Sequence, residues 1–295
     1  MKNKPLVTII TPTFNRAAFL RETIKSVLDQ NYKNIEYIIL DGNSYDNTKE
    51  VVSEFGKKII FDSHENRGEQ YAVNKGLKMA KGELIGVVNS DDPILPGAIK
   101  EIVKTFQENP KTIGVYSDWI KINEKGKEIE KMVLPDYSLS NMLKMHNMTP
   151  GPATFFRKEA VKKLKKRDDN FRYVSDFDFI LRAALLGDFK RIPKFLATFR
   201  IHPGAATLKN KGLKMSLEHI RLINKVFSMS GLPKEIESIR PQAYAKACEA
   251  ARICRGDNPL TKIIVSLLSL YYSPKDYVGL FTKYRVKKIK QILNI

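Results

Sequence analysis

The pattern that most limits what this chain can fold into is a regular alternation in its first third. Four short apolar runs, "VTIITP" (7–12), "IEYIILD" (35–41), "KIIFD" (58–62) and "ELIGVV" (83–88), are separated by segments with helical periodicity. In the first such segment Leu20, Ile24, Val27 and Leu28 recur at i, i+4, i+7 and i+8, one face of a helix. A second follows Asp46 or Asn47, each a suitable N-cap, a third covers about Glu69 to Ala80, and a fourth begins at Pro96. Strands that are apolar almost throughout must be covered on both faces. The pattern therefore predicts an α/β fold, a mostly parallel sheet flanked by helices.

In open sheets of this kind ligands bind beyond the carboxyl ends of the strands. The residues there are Thr11-Pro12-Thr13, Asp41-Gly42-Asn43-Ser44, Asp62-Ser63 and Asn89-Ser90-Asp91-Asp92. Neither a G-x-G-x-x-G turn nor a G-x-x-x-x-G-K-[ST] loop is present, so a phosphate bound here leans on a cation rather than on a glycine nest. Adjacent carboxylates repel, and Asp91-Asp92 reads in two ways: a polar turn that caps the helix beginning at Pro96, or hard oxygen ligands for Mg2+ or Mn2+ shared with substrate phosphate. Its place at a strand end favours the ligand reading. Asp41 is either a turn residue in "DGNS" or an acceptor for a ring N–H, which uracil, thymine and guanine offer.

The later chain is less regular. "TIGVYSDWIKI" (112–122) and "KEIEKMVL" (127–134) suggest a hairpin, "ATFF" (153–156) a strand, and "KRIPKFLATFRIH" (190–202) a last strand. Between them "SDFDFILRAALLG" (175–187) begins a helix with two acids. Phe179, Ala183 and Leu186 follow Asp176 at i+3, i+7 and i+10, which puts Asp176 on the buried stripe, while Asp178 does not obviously lie on it. A carboxylate facing inward at the ligand edge is a general-base candidate, the alternative being a helix-start charge. His202 ends the last strand on the same face as Arg200, where imidazole serves a metal or a diphosphate. From Gly212 the chain reads as helices broken at 231–233, 256–259 and 273–274, and the boundary falls near 208, giving segments 1–207 and 208–295.

The chain carries a net charge of +19, and residues 208–295 hold 17 basic against 6 acidic side chains, +11. Such an excess favours anionic partners. No zinc-finger spacing, aromatic-basic RNA motif or helix-turn-helix accompanies it, so nucleic acid is not the expected partner. The glycine-rich basic loop of a nucleotidyltransferase is also absent. Cys248 and Cys254 form neither a disulfide framework nor a zinc site, "LVTII" is too short for a signal segment, and "NMT" (147–149) reads as a chance glycosylation tripeptide. "IIVSLLSLYY" (263–272) falls short of the roughly 18 apolar residues a membrane span needs. The expected location is the cytoplasm.

With these residues assembled, the chain resembles the inverting glycosyltransferases of the GT-A fold, the large family-two group. "VTIITPTFNRAAFLRETIKSVLDQNYKNIEYIILDGNSYDNT" is similar to that group's opening, and "ENRGEQYAVNKGLKMAKGELIGVVNSDDPILPGAI" to its metal-motif segment, with "NSDD" in place of D-x-D. "PATFFRKEAV", "YVSDFDFILRAALLG" and "FRIHPGAAT" are similar to its acceptor, base and closing segments. The resemblance covers about residues 5–207. It implies that Thr11, Pro12, Thr13 and Asp41 hold the base of a nucleotide sugar, with Asn15 and Arg67 near the nucleotide. It implies further that Asp91 faces the ribose or sugar, Asp92 ligates Mn2+ or Mg2+, Asp176 is the base, and His202 sits by the diphosphate or the metal. The acceptor would be a saccharide or a lipid-linked saccharide. Members often have two acids where this chain has Asp41-Gly42, and Glu-Asp where it has Ser175-Asp176. The basic segment 208–295 is then either a packed helical extension or a peripheral membrane contact through stretches such as "YVGLFTKYRVKKIKQIL" (277–293).

Overall fold

The computed structural model describes residues 4–147, 150–205 and 212–274. The segment 277–293 and most of "NMT" thus lie outside the described residues. The chain divides into two compact units, one of residues 1–137 and 148–205, the other of 138–147 and 206–295.

The first unit is built on an eight-stranded sheet. β1 (Val7–Thr13), β2 (Ile35–Asp41), β3 (Ile60–Ser63) and β4 (Leu84–Val87) run parallel in the order β3-β2-β1-β4. β7 (Phe155–Arg157) joins β4 antiparallel and links it to β5 (Gly114–Ile122). β5 pairs antiparallel with β6 (Glu128–Met132), the expected hairpin, and parallel with the long β8 (Phe189–Arg200). The central strands are apolar at consecutive positions because helices cover both faces. Val7, Ile9, Ile39 and Leu84 pack in one cluster with Leu20, Ile24 and Val27 of α1 (Ala17–Leu28) and with Ile99, Ile102 and Phe106 of α4 (Ala98–Glu108). Burying each such side chain stabilises the fold by about 1.5–3 kcal/mol. On the other face α3 (Glu69–Met79) comes so close to β1 that a Cβ at Gly76 would stand 2.6 Å from Ile10 Cγ2. Only glycine fits that approach. α2 (Thr48–Ser53) follows β2.

This arrangement aims the ends of β1, β2 and β4 along one edge, with β8 delivering residues 200–202 beside them. α4 starts at Ala98 after Gly97, and neither Ser90 nor Asp91 caps it. The capping account of the acid pair therefore fails.

The second unit is helical: α5 (Leu139–Met145), α8 (Leu213–Phe227), α9 (Lys234–Ser238), α10 (Arg240–Cys254) and α11 (Pro259–Tyr272). Ala243, Ala247 and Ala251 line the buried face of α10, and such small side chains let neighbouring helices approach closely. Ile220, Cys248, Ala251 and Val265 form the core, and the Tyr244 and Tyr272 rings stack at 5.1 Å. His146 and His219, to which the sequence assigns no role, meet here with Nε2 and Nδ1 2.9 Å apart. Burial, then the neighbouring His219, push the His146 pKa down to about 3.

Candidate active site

The turn after β4 is fixed from several directions. Thr23 Oγ1 donates to Ser90 O at 3.0 Å. Arg200, buried at the end of β8, donates from Nε to Asp91 O (2.9 Å), from Nη1 to Asn123 O and Glu124 O (3.2 and 3.0 Å), and from Nη2 to Glu22 Oε2 (2.6 Å). Its backbone N–H donates to Asp92 Oδ1 at 2.8 Å, while Asn89 Nδ2 donates to Asp92 Oδ2 at 3.0 Å. Asp92 is buried. Burial, then the adjacent Asp91 charge, raise its carboxyl to about 7, against the pull of those donors.

Asp91 differs from its neighbour. Its Oδ2 accepts from His202 Nε2 at 3.0 Å and lies 3.6 Å from Arg16 Nε, while Oδ1 takes no hydrogen bond among the described residues. Gly204 N–H donates to His202 Nδ1 at 3.2 Å, so the neutral ring carries its proton on Nε2. The sequence expectation placed a metal on Asp92 and on His202. Here Asp92 is buried with one hydrogen bond on each oxygen and both nitrogens of His202 have protein partners, while Asp91 is the more open acid and has an oxygen that accepts no hydrogen bond among the described residues. Among the described residues no group of three His, Cys, Asp or Glu could hold a metal alone. The donor set fits a hard ion of the Mg2+ or Mn2+ kind, which takes one or two carboxylates and completes its shell with substrate phosphate and water.

Asp176 begins the second position of α7 (Ser175–Ala184). The expected helix face is corrected. Asp178 is the buried acid, 1% exposed, and pairs with Arg182 Nε at 2.8 Å, whereas Asp176 remains partly open. The reason is that α7 is embedded on nearly all sides, so that between Ser175 and Ala184 only Asp176 and Arg182 escape full burial. α6 (Lys158–Leu164) precedes the loop that leads to it.

A third acid, not singled out in the sequence, joins these two. Glu69, at the start of α3, accepts from Arg167 Nη1 at 3.0 Å. Its carboxyl is raised by desolvation, although part of the side chain reaches solvent, and further by the Asp176 and Asp91 charges, with Arg167 opposing. The charges of Asp176 and Asp91 are thus both felt at Glu69. Asn74 holds the Arg167 backbone on both sides, Nδ2 donating to its carbonyl at 3.0 Å and Oδ1 accepting its N–H at 2.7 Å. A first-turn glutamate reads in sequence as a helix-dipole charge, which is why Glu69 carried no signal.

At the other end of the edge, Asp41 is buried and anchors its turn, accepting from Ser44 N, Ser44 Oγ (2.6 Å) and Ser63 Oγ (2.8 Å). The Ser44 N–H is shared between the two oxygens (3.2 and 3.1 Å), so each accepts two hydrogen bonds and the carboxylate's roughly four acceptor sites are filled within the turn. Thr13 is Asp41's partner in the β1–β2 register; the residue is 6% exposed and its hydroxyl is buried with no hydrogen-bond partner among the described residues. Thr11 is otherwise. It is wholly interior, with Oγ1 donating to Val88 O at 2.8 Å and 3.2 Å from Tyr37 OH, which makes it a core residue rather than a nucleotide contact. Pro12 is also buried. Asn15, at φ 52°, accepts from Tyr45 N at 3.0 Å and donates its own N–H to Ser44 Oγ at 2.8 Å, stapling two loops together. Arg67 lies exposed over the Tyr71 ring at 4.8 Å. Arg16, unmarked in sequence, donates to Gly204 O at 2.6 Å and so joins the β1–α1 loop to the segment after β8.

Residues 8–176 match the family model of glycosyl transferase family 2. An uncharacterized glycosyltransferase of Rickettsia typhi is 30% identical over 211 residues, 69% of this chain and 66% of that protein. The hyaluronan synthase of Pasteurella multocida is 25% identical over 77% of this chain, which spans only 24% of the synthase. Among solved structures, S. aureus TarS in complex with UDP-GlcNAc superposes with a TM-score of 0.70 over 96% of this chain and 92% of that one, at 16% identity. The mannosyltransferase PcManGT from Pyrobaculum calidifontis, in complex with GDP-Man and Mn2+, gives a TM-score of 0.63 over 98% and 81%, at 15% identity. At such identities these structures show a shared fold.

Proposed function

The chain belongs to glycosyl transferase family 2, and from that premise we propose that it moves a sugar, with inversion, from a nucleoside diphosphate to a hydroxyl of a saccharide or lipid-linked acceptor. UDP is the favoured carrier, as the resemblance implies; the Thr13 hydroxyl, buried beside Asp41 at the strand end with no partner among the described residues, suits the polar edge of a base. The setting of Asp176, a part-open carboxylate whose charge is felt at Glu69 together with that of Asp91, carries the reading. Polymer synthases among the relatives make cell-surface or glycoconjugate saccharides a natural product class.

Asp176 takes the proton of the acceptor hydroxyl as that oxygen bonds to the anomeric carbon. The bond from that carbon to the diphosphate breaks on the opposite face, and its electron pair leaves with the phosphate oxygen. A carboxylate is a weak base toward a sugar hydroxyl, so proton loss must accompany attack. Asp91 would hold the divalent ion, Mn2+ or Mg2+. When bound, that ion neutralises charge on the departing diphosphate. His202, whose Nε2–H is given to Asp91, orients the carboxylate that would hold the ion. Arg200 and Asp92 keep the turn in place, and Arg167 pairs with Glu69, which feels the charge of the base.

Asp176→Asn tests the assignment. Transfer should fall by about 10²–10⁴, while UDP affinity by calorimetry stays near that of the parent. Equal losses of both remove Asp176 from the role. The anomeric configuration of the product, read by proton NMR, tests inversion.

A further inference from the structure

We propose that the outer face of α11 docks on an anionic phospholipid surface, with Arg255 and Lys262 engaging the lipid phosphate and the apolar stripe entering the headgroup–acyl boundary. α11 is apolar on two opposite sides. Thr261, Val265 and Ser269 face the core of the helical unit. Leu260, Ile263, Leu267, Leu270 and Tyr271 follow one another at i, i+3, i+7, i+10 and i+11, and all are between 43% and 78% exposed. An exposed apolar stripe opposite a buried face calls for a second apolar partner, and at 14 residues, about 21 Å, this helix is too short to cross a bilayer. None of the described helices is long and apolar enough to do so.

The arrangement of charge selects the partner. An open groove of about 400 Å³ runs along this face, lined by Arg255, Lys262, Ile263, Ser266, Leu267 and Leu270. Cations stand at one end and hydrocarbon at the other, the polarity of a phospholipid. α11 contains no acidic residue. Lys262 meets Asp257 at 3.3 Å, but Asp257 is fully exposed, and a surface pair of that kind yields readily to a phosphate. A second copy of the chain would bring this same cationic end into its own isologous interface, alongside like charge. The wider segment agrees, with its +11 over residues 208–295, and Tyr271 supplies the amphipathic ring suited to an interface.

The test uses the full chain and does not depend on the transferase reading. Vesicles of phosphatidylcholine alone, or with about one-third phosphatidylglycerol, are floated with protein at low and high salt. The parent should float with the acidic vesicles and lose binding as salt rises. Ile263→Ser with Leu267→Ser should lower the partition at least about tenfold, and Arg255→Gln with Lys262→Gln should remove the preference for acidic lipid. Leu267→Trp, which keeps the stripe apolar, should show a blue-shifted emission on acidic vesicles. No flotation by the parent overturns the proposal, as does equal flotation by the serine variant with an unshifted Leu267→Trp. So does a dimer, seen by sedimentation equilibrium without lipid binding, that the serine pair dissolves.

Discussion

His202 Nε2 stands 3.0 Å from Asp91 Oδ2, across 111 residues of sequence, and ties the segment after β8 to the turn after β4. The bond separates two adjacent acids by role. Asp91 looks toward His202 with one oxygen that accepts no hydrogen bond among the described residues, and Asp92 is folded under the turn with a hydrogen bond on each oxygen.

Asp91→Asn is therefore expected to abolish the metal-dependent part of UDP affinity, and Asp92→Ala to leave it. Asp92→Ala should instead lower stability by about 1–3 kcal/mol, because the buried N–H of Arg200 loses its acceptor. Calorimetry with and without Mn2+, set beside urea unfolding, reads both. A metal dependence lost with Asp92 and retained with Asp91 reverses the assignment.

Thr13→Val removes a buried hydroxyl without a partner among the described residues, so the free protein should keep its stability or gain slightly. UDP affinity should fall about two- to tenfold, the worth of one neutral hydrogen bond. The same change at Thr11 should behave oppositely, lowering stability and sparing intrinsic affinity, since its hydroxyl serves Val88 O.

Gly76→Ala sets helix propensity against packing. An alanine inside a helix is favoured over glycine by about 1 kcal/mol. Its methyl would meet the Ile10 branch at 2.6 Å, and overpacking costs about 1–3 kcal/mol. A net loss of up to about 2 kcal/mol in chemical denaturation is expected. A gain would mean that α3 can lift off β1.

The helical unit should weaken in mild acid. His146 is kept neutral in the folded chain, with its pKa down at about 3 against about 6.5 when unfolded. Between those values the unfolded chain binds more protons, so stability is complete above about pH 6.5 and is lost as pH falls toward 3, by at most about 1.4 kcal/mol per pH unit. Melting temperatures from pH 7 to 4 should show the slope for the parent and a shallower one for His146→Gln.

The fold was legible where neighbouring residues decide it. Runs such as Val7–Thr13 and Ile35–Asp41 are apolar because helices lie on both sides of them, and the helices announce themselves by spacing. The candidate site was legible by location and less so by role. Thr11 and Thr13 share a strand face, and only distance from the strand end separates a core hydroxyl from one at the edge. Asp91 and Asp92 are alike in type and adjacent. What distinguishes them is Arg200 and His202, over a hundred positions away. The Glu69–Arg167 pair spans 98 residues and leaves no local trace. The stripe read on α7 failed because a helix enclosed on most sides has no single inner face.

The position of Arg200 in the chain also bears on biogenesis. Its fork and its N–H complete the turn at 89–92, yet it emerges from the ribosome more than a hundred residues later. A nascent chain that has already made β1 to β4 must wait without the Arg200 N–H on Asp92 and the His202 ring on Asp91, and the long closure falls last. A polypeptide stopped short of residue 200 would thus retain its first strands and lack a formed centre.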